Sequence, residues 1–210
     1  MKREGILVVV SGFSGAGKGT VMKELVRRYD CYALSVSATT RGPRAGEVEG
    51  IDYFYKTEEQ FRAMIEQGEL VEYARYVDHF YGTPKAYVEE QLAAGKDVIL
   101  EIEIQGALKI KKQFPDTLLL FITPPSAQEL VRRLTDRGTE DHETILARLQ
   151  RASEEAEGID CYDYLVMNDD LDTCVKQVHE LIQSAHCKKS HNTAFIKELQ
   201  QDMNCFLKGE

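Results

Sequence analysis

An uninterrupted apolar run, Ile6, Leu7, Val8, Val9 and Val10, leads directly into Gly12-Phe13-Ser14-Gly15-Ala16-Gly17-Lys18-Gly19-Thr20. The run has the make-up of a strand buried on both faces. The glycines behind it let successive backbone N–H groups turn inward onto a phosphate, and a following helix adds the positive end of its dipole. Lys18 is spaced to reach the outer phosphates of a bound nucleotide. One position departs from the G-x-x-x-x-G-K-[ST] pattern: Gly19 stands where a hydroxyl residue is usual, and Thr20 follows it. Strand, loop and lysine together predict a nucleotide phosphate site over residues 12–20. They point to phosphoryl transfer without naming the acceptor.

The rest of the chain supports a fold able to carry such a loop. Its 210 residues suit one domain with lobes, or a compact domain and a tail, with a core that needs neither disulfides nor a structural metal. A net charge of −9 argues against a general nucleic-acid or anionic-membrane binder, so phosphate affinity has to come from a local arginine cluster. Cys31, Cys161, Cys174, Cys187 and Cys205 are odd in number and lack C-x-x-C spacing, which predicts free thiols in a reducing cytoplasm. The apolar run near the N-terminus is too short for a signal peptide and is needed as a strand. No later run approaches membrane-spanning length.

Strand-like and helix-like segments alternate, which predicts an α/β fold with helices on both faces of a mostly parallel sheet. Helical stripes appear at Val21, Leu25 and Val26, and again over residues 57–67. There Thr57 and Gln60 form a capping box, Phe61, Met64 and Ile65 one apolar face, and Gly68 the stop. Residues 70–76 predict a strand, and Pro84 opens a helix ending at Gly95. Residues 97–104 predict a buried strand that finishes with Glu101 and Glu103 on one face. Residues 118–122 give a second fully apolar strand. Ser126 and Glu129 are expected to form another capping box that opens a further helix, and residues 143–157 form a charged helix expected to stay out of the core. Residues 164–168 give a short last strand, followed by a docking helix carrying Val175, Val178, Leu181 and Ile182. The polar stretch 35–52 has too little apolar content for a core. In the tail, Phe195, Ile196, Leu199, Met203, Phe206 and Leu207 fall at helical spacing, and packing back onto the domain is favoured over a dimer contact.

A second anion site is visible in that polar stretch. Arg41 and Arg44 bracket a Gly-Pro turn, and two guanidinium forks from one loop suit a terminal phosphate. Tyr53 and Tyr81 can add phenolic hydroxyls. Paired carboxylates such as Glu101 and Glu103 could serve a glycosidase as acid and base, but strand spacing behind a nucleotide loop argues against it.

Several motifs in order make the chain resemble a guanylate kinase over roughly residues 4–183. They are the phosphate loop, Ser37-Ala38-Thr39-Thr40-Arg41-Gly42-Pro43-Arg44 with Gly50-Ile51-Asp52-Tyr53, and Tyr81-Gly82-Thr83. Further along come Glu101-Ile102-Glu103-Ile104-Gln105-Gly106, Arg137-Gly138-Thr139-Glu140 and Asn168-Asp169-Asp170. The resemblance implies a P-loop NTPase three-layer α/β/α core, a small mixed acceptor-binding lobe and a helical lid. The expected division is core at 1–35, 91–125 and 161–185, lobe at 36–90, lid at 126–160 and tail at 186–210.

It implies transfer of the ATP γ-phosphoryl group to GMP, with dGMP as a second acceptor, in a monomer or homodimer that binds neither nucleic acid nor membrane. Ser37, Glu72 and Thr83 are implied to read guanine, while Arg41, Arg44, Tyr53 and Tyr81 hold its phosphate and Glu103 touches the acceptor nucleotide. Guanine presents adjacent ring N–H and amino donors that one carboxylate at Glu72 can accept, and the Ser37 and Thr83 hydroxyls can donate to its oxo group. Adenine would set a ring acceptor against that carboxylate, and sites built this way discriminate by roughly 10⁴-fold.

ATP is implied to lie on Gly12, Phe13, Ser14, Gly15, Ala16, Gly17, Lys18, Gly19 and Thr20, with Arg133 and Asn168 beside it. Lys18, Arg41, Arg137 and Arg148 are expected to stabilise the migrating phosphoryl group. Because Gly19 lacks a hydroxyl, Mg²⁺ is expected to be held by nucleotide oxygens and water, with Glu101 behind that water and Thr20 on a phosphate. Two rivals remain at this point: another phosphorylated acceptor, and a non-catalytic guanylate-kinase-like interaction module.

Overall fold

The computed structural model describes residues 4–44, 46–76, 78–135 and 142–208. The chain begins with β1 (Leu7–Gly12), α1 (Lys18–Arg28) and β2 (Tyr32–Leu34), then leaves the core through β3 (Ala38–Thr39), β4 (Phe54–Tyr55) and α2 (Glu58–Glu66). β5 (Leu70–Tyr76) and β6 (His79–Pro84) lead back through α3 (Lys85–Ala93) to β7 (Asp97–Glu101), α4 (Ile104–Gln113) and β8 (Leu118–Thr123). α5 (Ala127–Thr135), α6 (His142–Ala156), β9 (Tyr164–Met167), α7 (Leu171–Ala185) and α8 (Thr193–Lys208) complete it.

Five strands make one parallel sheet in the order β2-β7-β1-β8-β9. Because strand side chains alternate, each apolar strand feeds both faces. Val8, Val10, Ile99, Leu118, Leu120 and Ile122 pack under Met22 and Leu25 of α1 and Val175, Val178 and Ile182 of α7. Val9, Val98, Leu100 and Leu119 point the other way, against Val88 of α3 and Ala107 and Ile110 of α4. Each such side chain contributes about 1.5–3 kcal/mol on full burial, so the three layers hold β1 firmly and fix where its C-terminal loop opens.

The four-stranded second sheet, β4-β3-β6-β5, projects beside the first, with β5 and β6 antiparallel. The capping box on α2 forms as expected, with Thr57 and Gln60 bonding each other's backbone N–H at 3.1 and 2.9 Å. Three expectations need correction, and one strand was not foreseen. Residues 35–52 do contribute to a core, since Ala38 and Thr39 are fully buried in β3. β6 is a strand that apolar patterning does not announce. The strand expected over 97–104 ends at Glu101: Glu103 is the residue capping α4, so the two carboxylates are not strand neighbours on one face. Finally, α8 forms but does not bury its stripe: Phe195, Leu199, Met203, Phe206 and Leu207 are all exposed.

The charged helix α6 stays outside the main core. Its Ala152 packs with Leu130 and Leu134 of α5 in a small separate cluster. Ser126 accepts the Glu129 backbone N–H at 3.1 Å, but the Glu129 carboxylate turns to Arg132 and Arg133 instead of completing a capping box.

Candidate active site

A cavity of about 540 Å³ opens at the C-terminal ends of β1 and β7 and runs to the second sheet. It brings together Gly12, Ser14 and Lys18 from the phosphate loop with Ser37, Arg41, Arg44 and Tyr53 from the following segment. Glu72, Tyr81, Glu101 and Glu103 complete the set. Residues spread over ninety positions of sequence thus share one cleft. Arg137 lies outside the described residues.

At the donor end, Gly17 precedes α1 with φ 89°, a left-handed conformation that side chains rarely adopt. A Cβ there would stand 2.6 Å from Asn168 Nδ2. Asn168 is buried, and its amide donates to Ala16 O at 2.8 Å, so its side chain braces the loop from below. Arg133 is more than a solvated helix arginine: it donates to Asn168 O at 2.9 Å and to Ala16 O at 3.4 Å. Lys18 Nζ donates to Gly12 O at 2.6 Å and to Phe13 O at 3.2 Å, which holds its ammonium over the loop. Phe13 itself packs edge-on to Phe121. Gly19 lies in the first turn of α1 with open space where its Cβ would be, and Thr20 is exposed.

At the acceptor end, Arg41 makes a two-pronged ion pair with Glu47, at 2.9 and 2.8 Å, and lies 5.1 Å from the centroid of the Tyr53 ring. Glu47 also accepts the Arg44 backbone N–H at 2.7 Å and the Tyr55 hydroxyl at 2.8 Å. Arg41 is the main reason the Glu47 carboxyl falls to about 2, and Glu47 raises Arg41 in turn. Glu47 thus fixes the guanidinium plane facing the cavity. Tyr53 and Tyr81 meet edge to face at 6.0 Å, and burial raises the Tyr53 hydroxyl. Sequence reasoning gave Glu47 no role. The available signal was an acid six residues from Arg41 in a glycine-rich loop.

Glu72 stands on β5 opposite Thr83 on β6. It is buried, and Thr83 Oγ1 donates to its Oε1 at 3.0 Å. Thr83 is itself fully buried, so its hydroxyl proton serves Glu72. Desolvation raises the Glu72 carboxyl, and the Thr83 bond opposes this only in part. The other carboxylate oxygen faces α4, where a Cβ on Gly106 would stand 3.1 Å from it. A glycine at 106 therefore leaves room for the carboxylate.

Glu101 and Glu103 flank a turn anchored to β1 by Ser11, which donates to Ile102 O at 2.6 Å. Although Glu101 has an exposed surface, the cleft wall desolvates it and raises its carboxyl, with Lys18 pulling the other way and Glu103 adding to the rise. Arg148 is half-buried on α6.

A phosphate loop and a second, arginine-and-tyrosine anion site opening on one cavity define a P-loop phosphotransferase for a small phosphorylated acceptor. The family model described as guanylate kinase matches residues 4–185. A guanylate kinase of Oceanobacillus iheyensis is 48% identical over 202 residues, covering 96% of this chain and 98% of that protein. One of Halalkalibacterium halodurans is 49% identical over 188 residues, covering 90% and 92%. The crystal structure of guanylate kinase from Anaplasma phagocytophilum superposes with a TM-score of 0.73 at 29% identity, over 90% of each chain. The chain belongs to the guanylate kinase family.

Proposed function

We propose that the cleft carries the transfer of the γ-phosphoryl group of ATP to GMP, with dGMP as a second acceptor, giving ADP and GDP or dGDP. The observation that carries the choice of acceptor is Glu72, a buried carboxylate at the acceptor end that accepts a hydrogen bond from the Thr83 hydroxyl. Guanine supplies two adjacent donors to such a group, and adenine would leave it facing a ring acceptor. Ser37, on the cavity wall, suits the oxo group. Thr83 serves the base through Glu72. Arg41, Arg44, Tyr53 and Tyr81 take the acceptor phosphate, with Glu103 beside the nucleotide.

An acceptor phosphate oxygen attacks the γ-phosphorus in line, and the bond from that phosphorus to the β–γ bridging oxygen breaks. ADP leaves with that oxygen. The attacking oxygen is already anionic, so no general base is needed. The work of the protein is alignment and charge neutralisation, by Lys18 and Arg41 with Arg137 and Arg148 of the lid. Arg133 and Asn168 support the donor loop over residues 12–20.

Among the described residues no three His, Cys, Asp or Glu side chains cluster as a metal cage. One acidic group beside Lys18 fits a magnesium ion carried by the nucleotide and its waters, with Glu101 ordering one of those waters. Such an ion supplies neutralisation of phosphate charge.

The division into core, acceptor lobe at 36–90, lid at 126–160 and tail from 186 follows these roles, and lobe closure would exclude water. All five cysteines are free thiols, which suits a cytoplasmic setting. No helix among the described residues is long and apolar enough to cross a membrane. Phosphorus NMR of protein with Mg·ATP and GMP tests the reaction. GDP and ADP in equal amounts support it, and ATP loss to free phosphate without GDP would overturn it.

A further inference from the structure

The base of α6 makes a contact that the reaction scheme leaves unused. Glu155, on its last turn, is nearly buried, with its Oε2 enclosed and without a hydrogen-bond partner among the described residues. Its carboxyl lies close enough to that of Glu103 for the two charges to repel. Arg151, one turn earlier on α6, lies between them, 3.4 Å from Glu103 Oε2 and 3.5 Å from Glu155 Oε1. The chain just after α6 is pressed onto α4 as well: a Cβ on Gly158 would stand 2.9 Å from Ile104 Cγ2. Glu103 caps α4 without a side-chain capping bond, and its carboxylate instead meets Arg151 of α6.

Two carboxyl groups brought together, Glu155 largely enclosed and Glu103 still 58% exposed, repel unless a cation lies between them, and here that cation is Arg151. Burial first, and Glu103 second, push the Glu155 carboxyl above its ordinary value; Lys18 and Arg151 oppose this. The pair is therefore held by tertiary structure against its own repulsion. A second cavity, of about 580 Å³, lies between this pair and the end of β5 and shares Glu103 and Ala74 with the main cleft. What moves α6 therefore moves a wall of the acceptor site.

We propose that Glu155, with Arg151, is a positioning residue: it clips the base of the lid helix to Glu103 and so sets Glu103 against the acceptor nucleotide. The inference rests on the guanylate kinase reaction proposed above and deepens it. Glu155 touches no substrate itself. It lies seven residues beyond Arg148, two turns along the same side of α6, so the clip ties the arginine-bearing helix to the acceptor site.

The test compares Glu155→Ala, Glu155→Gln, Glu103→Ala and the Glu103→Ala/Glu155→Ala double variant by steady-state kinetics in GMP and in ATP. Glu155→Ala is expected to raise KM for GMP about tenfold, the scale of losing the charged contact that holds Arg151 against Glu103. KM for ATP should stay within about twofold. Glutamine can still accept from Arg151 through its amide oxygen, so Glu155→Gln should return KM for GMP to within about threefold of the parent. The double variant should be no worse than Glu103→Ala alone. Should Glu155→Ala not fold, Arg151→Ala takes its place with the same expectation. An unchanged KM for GMP, a rise confined to ATP, or additive losses in the double variant would overturn the clip. A parent protein that makes no GDP would instead overturn the reaction on which it rests.

Discussion

Replacing Glu72 by glutamine separates what this carboxylate does for the acceptor from what it does to the fold. Glutamine keeps the shape and the bond from Thr83, which now runs to an amide oxygen 3.0 Å away in the parent geometry. It replaces one acceptor oxygen with an N–H donor aimed at guanine's donors. The loss is one hydrogen bond to a charged group, about 1.5–3 kcal/mol, plus an unpaired buried donor, about 1–3 kcal/mol. Together about 3–6 kcal/mol corresponds to roughly 10²–10⁴-fold in kcat/KM for GMP.

The effect on stability runs the other way. Burial raises the Glu72 carboxyl in the folded protein above its unfolded value. The folded state therefore binds that proton more tightly. This contribution is fully present below the unfolded value, near 4.3, and is lost as pH rises through the folded one. At neutral pH the ionised parent is penalised and the amide is not. Glu72→Gln should thus melt higher than the parent at pH 8, with the gap closing as pH falls toward 4. Steady-state rates and melting curves at both pH values decide it. Parent-like GMP efficiency, or a variant less stable at pH 8, would refute the account of Glu72.

Three further changes probe separate parts of the cleft. Gly106→Ala puts a methyl 3.1 Å from Glu72 Oε2 and from Ile102 Cδ1; KM for GMP should rise about tenfold with KM for ATP unchanged, and equal shifts in both would count against it. Lys18→Ala should cut kcat by roughly 10²–10³-fold while leaving the melting temperature near that of the parent, since its ammonium donates to two loop carbonyls. Gly19→Ser places a hydroxyl in open space at the first turn of α1. It should fold and lower the magnesium concentration needed for half-maximal rate, and an unchanged requirement would show that position 19 does not face the metal.

The parts of the fold that sequence disclosed are those where burial is two-sided. Val8 to Val10 and Leu118 to Ile122 read as strands because both their faces meet helices. The second sheet was only half visible. β5 could be read, but β3 is only two residues long and β6 borders the polar cleft, and they carry Thr39, Tyr81 and Thr83 in place of an apolar alternation. Glu101 and Glu103 were misplaced for a different reason. Alternation was carried two residues past the point where Ser11 draws the chain out of the sheet and α4 begins. Arg41, Arg44 and Lys18 announced themselves through spacing in glycine-rich segments. Arg151 and Glu155 did not, because a pair four apart on a charged helix has the pattern of an ordinary solvated face. The tail shows the limit of periodicity: the stripe on α8 predicted a helix correctly, but not what, if anything, it covers.

The central claim is that one cleft joins an ATP phosphate loop to a site that selects guanine through Glu72. A coupled assay of ADP release with GMP, dGMP and AMP in turn tests it most directly. The account predicts rapid ADP formation with GMP and dGMP, and a kcat/KM for AMP lower by roughly 10⁴-fold. AMP used as efficiently as GMP, or ADP released at the same rate with no acceptor present, would contradict it.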